Sequence, residues 1–329
     1  MKRTDILLAL SAGLLVLAGC GSQNPVANSR TDPAAQYASA AGVQTQVQSA
    51  PDDFETTTYD DGSAAKPDMA DATAPTSKFG LPVAEAAIQP AFWFRHITQH
   101  ERHIDVTFDH PDTATVVANV KVTDRLLGTF NVITRPDTVD GQITQSQWIR
   151  KPLADTALRY ARFVRHKVAA TAEGEDEDRE DGFRDGWSPW RLNALSGHEI
   201  TSDNGTRQIQ SVRIQAGAFD STYMDPLVLE DRASIAKIPG GTPVTVTATT
   251  PDPTDVLVLY TRWGRQRMHP VSPGVWQGTF LSAFDGGLRH VAVNALSHGT
   301  LFDDAGPYDS LVWGIPLVVV PATTTASLP

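Results

Sequence analysis

Residues 244–260, VTVTATTPDPTDVLVLY, decide the fold. Val244, Val246 and Ala248 alternate with Thr245, Thr247 and Thr249, the period of two expected of a half-buried strand. Pro251-Asp252-Pro253 then supplies turn chemistry, and Val256 to Tyr260 resumes as a second strand. Downstream, Val275–Phe280, Leu288–Val293 and Leu311–Val320 read the same way. Turn signals separate the strands: Pro239-Gly240-Gly241, Ser272-Pro273-Gly274 and Asp285-Gly286-Gly287. Short strands at regular spacing predict a β-sandwich over about 223–321, with 322–329 as a tail.

Upstream, residues 79–222 predict a β-rich, mixed α+β module. Residues 81–94 (LPVAEAAIQPAFWF) suggest a short helix that Pro90 interrupts. Strands are expected at 102–108, 113–122 and 126–134. In the second of these, Ala114, Val116, Ala118, Val120 and Val122 form a fully apolar face opposite Thr115, Val117, Asn119 and Lys121. Residues 157–168 read either as helix or as strand, because Arg159, Ala161 and Phe163 alternate poorly with Leu158, Tyr160 and Arg162. An acidic loop follows, then strands at 189–200 and 207–215. The expected class is therefore mainly β, in two modules.

Two resemblances bear on these modules. The second module, with Tyr260 and Trp263 in its third strand region, resembles bacterial Ig-like sandwiches that lack a disulfide. In the first, the order of elements with Phe163 and Trp190-Arg191-Leu192 is similar to cystatin-like or NTF2-like half-barrels.

The beginning of the chain points to an address. Lys2 and Arg3 precede an apolar run, Ile6–Ala18, which is too short to favour a membrane span and reads as a secretory signal at 1–19. It ends in Leu17-Ala18-Gly19-Cys20, which resembles the lipobox of bacterial lipoproteins. That resemblance implies cleavage before Cys20, a diacylglycerol on its sulfur and an acylated amine, with no other cofactor. It implies a membrane partner through the anchor, and Gly21, in place of Asp, favours the outer membrane. Residues 20–78 are rich in Ala, Ser, Thr, Gln, Asp and Pro and read as a disordered tether. Roughly 58 flexible residues would give an r.m.s. reach on the order of 40 Å.

Composition narrows the function. The 329 residues carry a net charge of −11, which argues against nucleic acid as a partner. The single cysteine excludes an internal disulfide and a cysteine-based zinc cluster. The 41% hydrophobic content suffices for a core.

Four constellations carry the chemistry the sequence offers. His96, His100 and His103 would share one helix face and bind zinc or copper; on a strand, His96 and His100 would share a face and His103 would not. His100-Glu101-Arg102-His103 is one residue short of the zincin signature. The acidic run 173–185 fails the EF-hand spacing. The loop holding Ser297, His298, Asp303 and Asp304, ahead of Tyr308, is a candidate binding loop, and no G-x-S-x-G elbow accompanies it. Arg262, Trp263 and Arg265 are the residue types of interfaces and sugar platforms. The repeated Asn-Ala-Leu-Ser at 193–196 and 294–297 has unrelated flanks. Together these predict a lipid-anchored envelope protein acting as a non-enzymatic binding or structural module, with an envelope protein or a glycan as partner. A metal-binding or hydrolytic role through the three histidines, and a role in envelope assembly, are the alternatives.

Overall fold

The alternation at 113–134 is one continuous strand rather than two. In the computed structural model, which describes residues 33–49, 90–134, 138–139, 142–143, 145–168, 186–261 and 264–321, the protein is mainly β. Its long hairpins are β1 (Pro90–Asp109), β2 (Thr115–Thr134) and β5 (Trp148–His166), with the two-residue strands β3 (Thr138–Val139) and β4 (Gln142–Ile143) between the last two. The turn from β1 to β2 is closed by Asp112, whose Oδ1 accepts the Ala114 amide at 2.7 Å.

The remaining strands are β6 (Arg191–Ser202), β7 (Ser211–Ala216), β8 (Phe219–Tyr223), β9 (Glu230–Asp231), β10 (Lys237–Pro239), β11 (Pro243–Thr249), β12 (Val256–Thr261), β13 (Gly264–Arg267), β14 (His269–Ser272), β15 (Val275–Leu281), β16 (Gly287–Leu296) and β17 (Ser310–Val320). A 10-stranded sheet runs β1-β2-β5-β6-β17-β16-β12-β13, with β9 on β6 and β10 parallel to β17. A 5-stranded antiparallel sheet runs β14-β15-β11-β7-β8.

The sandwich core lies between the two sheets. Ile214, Val244, Val246 and Trp276 face Leu257, Leu259, Val293, Trp313 and Ile315 across it. On the opposite face of β12, β16 and β17, Val258, Tyr260, Ala292 and Val312 meet Trp93, Phe130 and Leu153 from the long hairpins. These three strands are therefore buried on both faces, which explains their unbroken apolar runs. The large sheet curls to bring its ends together, with no pairing between them among the described residues: the Arg265 guanidinium of β13 donates to the Trp93 carbonyl of β1 and lies 4.0 Å from the Trp93 ring.

Three further sequence expectations need correction. Pro90–Phe94 is strand, not helix; the rest of the expected helix lies outside the described residues. Within the expected tether, α1 (Pro33–Ser49) is a helix whose Val43 and Val47 are fully buried against Val116, Val120, Phe163 and Trp190. Valines four apart fall on one helical face, and Gln46 Nε2 fixes them by donating to the Trp190 carbonyl at 3.0 Å. The expected module boundary near 222 crosses a shared core: β6 pairs with β17, and β7, from before the boundary, pairs with β11. The leader, Cys20, the acidic run and the tail 322–329 lie outside the described residues.

Candidate functional site

The inner face of β5 is an alternation that the sequence disguises. Lys151, Leu153, Asp155, Ala157, Arg159, Ala161 and Phe163 all point inward and are buried. Three of the seven are charged, and each meets partners from distant segments.

Asp155 belongs to a network around Arg95, which is 1% exposed. Arg95 donates from Nε to Tyr308 Oη at 3.0 Å, from Nη1 to Tyr260 Oη at 3.1 Å and from Nη2 to Ser310 Oγ at 3.0 Å. Tyr308 Oη in turn donates to Asp155 Oδ2 at 2.9 Å, and Ser310 Oγ donates to Asn294 Oδ1 at 2.8 Å. The rings of Trp93, Phe130 and Tyr308 surround the guanidinium at 5.7–5.9 Å. Burial and the Asp155 charge push the Tyr308 hydroxyl up, so it stays a donor. The network joins β1, β5, β12, β16 and β17 and holds the curl of the sheet.

Arg159 belongs to a second group, around Asp124 of β2. Burial alone would raise the Asp124 carboxyl; the hydrogen bonds from Arg102 and His100 and the charge of Arg159 hold it below its ordinary value. The distances are 2.7 Å to Arg102 Nε, 2.8 Å to Arg159 Nη2 and 3.0 Å to His100 Nε2. Beyond Arg159 across the sheet lie His198 and His290, their rings 5.4 Å apart. Burial first, and then like charge, depress both imidazoles, His290 to about 4. Gly314 of β17 makes room for this: a Cβ there would overlap the His198 ring.

A third group closes one end of the sandwich. Arg207 binds Asp252 at 2.8 Å, Asp255 at 2.6 Å and Asp309 at 3.1 Å. Burial of Asp255 outweighs its bond to Arg207 and raises its carboxyl to about 6.

The residues expected to act together are dispersed. A register shift between Ile97 and Gln99 reverses the phase of β1. Gly128 lies opposite this bulge, where a Cβ would overlap the His96 carbonyl. As a result His96 is exposed on the outer face, His100 turns to Asp124, and His103 lies outward on Asp105 at 2.8 Å. Among the described residues no three His, Cys, Asp or Glu side chains are placed to hold a metal ion.

In the candidate binding loop, Ser297 caps α2 (His298–Phe302) by accepting the Thr300 amide at 3.0 Å. His298 stacks on Phe302 at 4.7 Å, and burial lowers its basicity. The carbonyls of Gly299 and Asp303 accept from Lys151 Nζ at 2.7 and 2.6 Å. Asp304 is exposed, whereas Tyr308 is 3% exposed in the Arg95 network and presents no binding surface. Arg265 clasps β1 as described; Arg262 and Trp263 lie outside the described residues. A shallow groove lined by Leu192, Asn193, Asp231, Arg232 and Ala233 contains none of these groups.

Sequence reasoning missed the outer face of the hairpin bases. There Trp148 is 56% exposed beside Phe92, Phe94 and Arg150. The signal was present in Phe92-Trp93-Phe94, which a helix reading obscured.

The arrangement thus defines a mainly-β, two-sheet protein whose buried charged side chains are engaged by other groups of the fold. No family model and no curated protein matches the sequence. Among solved structures, the pullulanase from Bacillus acidopullulyticus aligns at 8% identity over 69% of this chain and 32% of its own, with a TM-score of 0.15, a likeness that assigns neither fold nor activity.

Proposed function

We propose that this is a lipid-anchored cell-envelope protein working as a non-enzymatic binding or structural module, with its C-terminal sandwich of the bacterial Ig-like kind. The observation that carries the module reading is the partnering of the inward charges. Arg95, Asp124, Asp155 and Arg207 are each engaged by other side chains of the fold, and Ser297, which a nucleophile would have to resemble, caps a helix. Groups so engaged hold strands in register rather than present a reactive atom. The anchor rests on the sequence: a basic n-region, an apolar run and the only cysteine in the chain at the end of the box. Acylated in this way, the chain would be held stably at a membrane, at roughly 0.8 kcal/mol per buried methylene.

The test is metabolic labelling with palmitate followed by detergent phase partitioning of the full chain. The wild type should be labelled and enter the detergent phase, and Cys20→Ser should lose both properties. An unlabelled wild type, or a Cys20→Ser chain that still partitions with detergent, would remove the anchor from this reading.

A further inference from the structure

We propose that the outer face of β1, β2 and β5 at their Trp148 end is a binding platform for an acidic glycan. The proposal rests on the reading of the chain as an anchored binding module and supplies its ligand class.

The platform follows from strand register. Phe92, Ile133 and Trp148 are cross-strand neighbours in one row, and Phe94, Asn131 and Arg150 in the next. All six belong to the face opposite Trp93, Phe130 and Leu153, because neighbouring residues in a strand point to opposite faces. The first row is apolar; in the second, an aromatic ring and a cation flank Asn131, which is buried. Phe92 and Phe94 stack at 5.5 Å, and Phe94 meets Trp148 at 6.1 Å. The indole is fixed in place: Trp148 Nε1 donates to Asn131 Oδ1 at 3.0 Å, and the Arg150 guanidinium sits 4.8 Å from the ring. Trp148 nevertheless keeps 56% of its surface in solvent. Such an oriented, exposed ring presents a flat apolar surface with little entropy left to lose on binding.

Size, charge and position select the occupant. Three strands at about 4.8 Å and two rows at about 7 Å cover on the order of 100–200 Å². A stable protein partner needs about 800 Å² on each side, whereas one or two sugar rings fit. A sugar has an apolar C–H face for the exposed rings, while Asn131, buried and bonded to Trp148 and Thr129, holds the indole in position. The Arg150 guanidinium, 4.8 Å from the Trp148 ring, is the cation this face offers to a carboxylate on the ligand. An anchoring bilayer is disfavoured. The chain from Cys20 enters the body at α1, which packs against Val116 and Phe163. Fifteen residues of β5, about 50 Å, separate Phe163 from Trp148.

The probe is a polygalacturonate oligosaccharide, titrated onto the full chain carrying Cys20→Ser so that no acyl group contributes. Saturable binding should appear, with Trp148→Ala weakening it at least tenfold, Trp148→Phe less, and Arg150→Ala both weakening it and flattening its salt dependence. Trp148 and Arg150 are exposed, so these variants should fold like the parent. No binding, or binding unchanged in Trp148→Ala, overturns the platform. Equal binding of a neutral dextran oligosaccharide that ignores Arg150→Ala overturns the acidic class. Trp148-dependent binding to phosphatidylglycerol vesicles in place of the oligosaccharide assigns the face to a lipid surface and overturns the proposal. Palmitate labelling reports on the anchor separately, so either result can fail without the other.

Discussion

Tyr308 Oη donates to Asp155 Oδ2 at 2.9 Å while it accepts from Arg95 Nε at 3.0 Å, so one phenol links two buried ionisable groups. Tyr308→Phe keeps the ring that packs 5.0 Å from Phe130 and removes only this link. A hydrogen bond to a charged group contributes about 1.5–3 kcal/mol, and here one hydroxyl serves two. The expected loss is about 3 kcal/mol, seen as a lower urea midpoint at unchanged slope. Tyr260→Phe, which also removes a phenol from Arg95, should cost less, because Tyr260 has no bond to a carboxylate among the described residues.

Asp255 makes the sandwich end sensitive to mild acid. Its folded carboxyl lies at about 6 against an ordinary 3.8, so the folded state holds the proton more tightly than the unfolded chain. Its contribution is therefore full below about pH 4 and is lost as pH rises through about 6. Asp255→Asn keeps the neutral shape at every pH. Its stability relative to wild type should rise between pH 4 and 6 by roughly 2–3 kcal/mol, measured as paired chemical denaturation curves. A difference that stays flat across that window would show that Arg207 keeps Asp255 ionised.

The histidine pair has the opposite sign in an overlapping window. His290 is lowered to about 4, so the unfolded chain takes up a proton that the folded chain refuses. Stability from this group is present above about pH 6.5 and falls as pH drops toward 4. His290→Gln should make that acid limb shallower, the remainder belonging to His198, while leaving pH 8 stability within about 1 kcal/mol of wild type. Because Asp255 and His290 oppose one another between pH 4 and 6, the wild-type profile alone tests neither; the differences between variant and wild type do.

The strands were legible because a buried face imposes period two, and 244–249 and 114–122 carry it without interruption. The double burial of β12, β16 and β17 was legible only as unbroken apolar runs, which do not say what covers the second face. The interior polar contacts were not legible as pairs, since Arg207 and Asp309 are 102 positions apart and Arg95 and its hydrogen-bond partner Tyr308 are 213. They did leave a trace. Asp124 falls in the same parity as Val116–Val122, and Arg159 in that of Ala161 and Phe163; a charge at an inward position marks a buried partner. The phase of β1 was illegible, because one bulge residue moves His100 away from His96. For α1, two valines among alanines and glutamines are too few to mark a face until Trp190 is there to meet them.

Gly314 and His198 offer a test of sheet packing that is independent of charge. A Cβ at 314 would overlap the His198 imidazole directly across the β6–β17 pair. Gly314→Ala should therefore cost several kcal/mol, in the range of overpacked cores, about 1–3 or more. His198→Ala removes the ring and leaves a cavity, a separate cost. In the double variant the new methyl occupies space the ring has vacated, so the two costs should be less than additive by about 1 kcal/mol or more. Additive losses in a double-mutant cycle would mean that the glycine serves the backbone rather than the ring.

Helix α1 docks residues 33–49 of the chain onto the large sheet. Val43 and Val47 are each fully buried, and a helix of this composition draws its stability from docking rather than from propensity. Val43→Asn with Val47→Asn should release α1 from the sheet and leave Phe163 and Trp190 uncovered, while the sandwich core, which shares no residue with this cluster, stays intact. Two buried valines contribute roughly 3–4 kcal/mol between them, enough to unseat the helix without unfolding the body. Limited proteolysis should then cut between residues 33 and 49 in the variant and spare that segment in the wild type, with the fragment from 90 onward surviving in both. Equal cleavage of both proteins would detach α1 from the fold and with it the argument that the chain enters the body opposite Trp148.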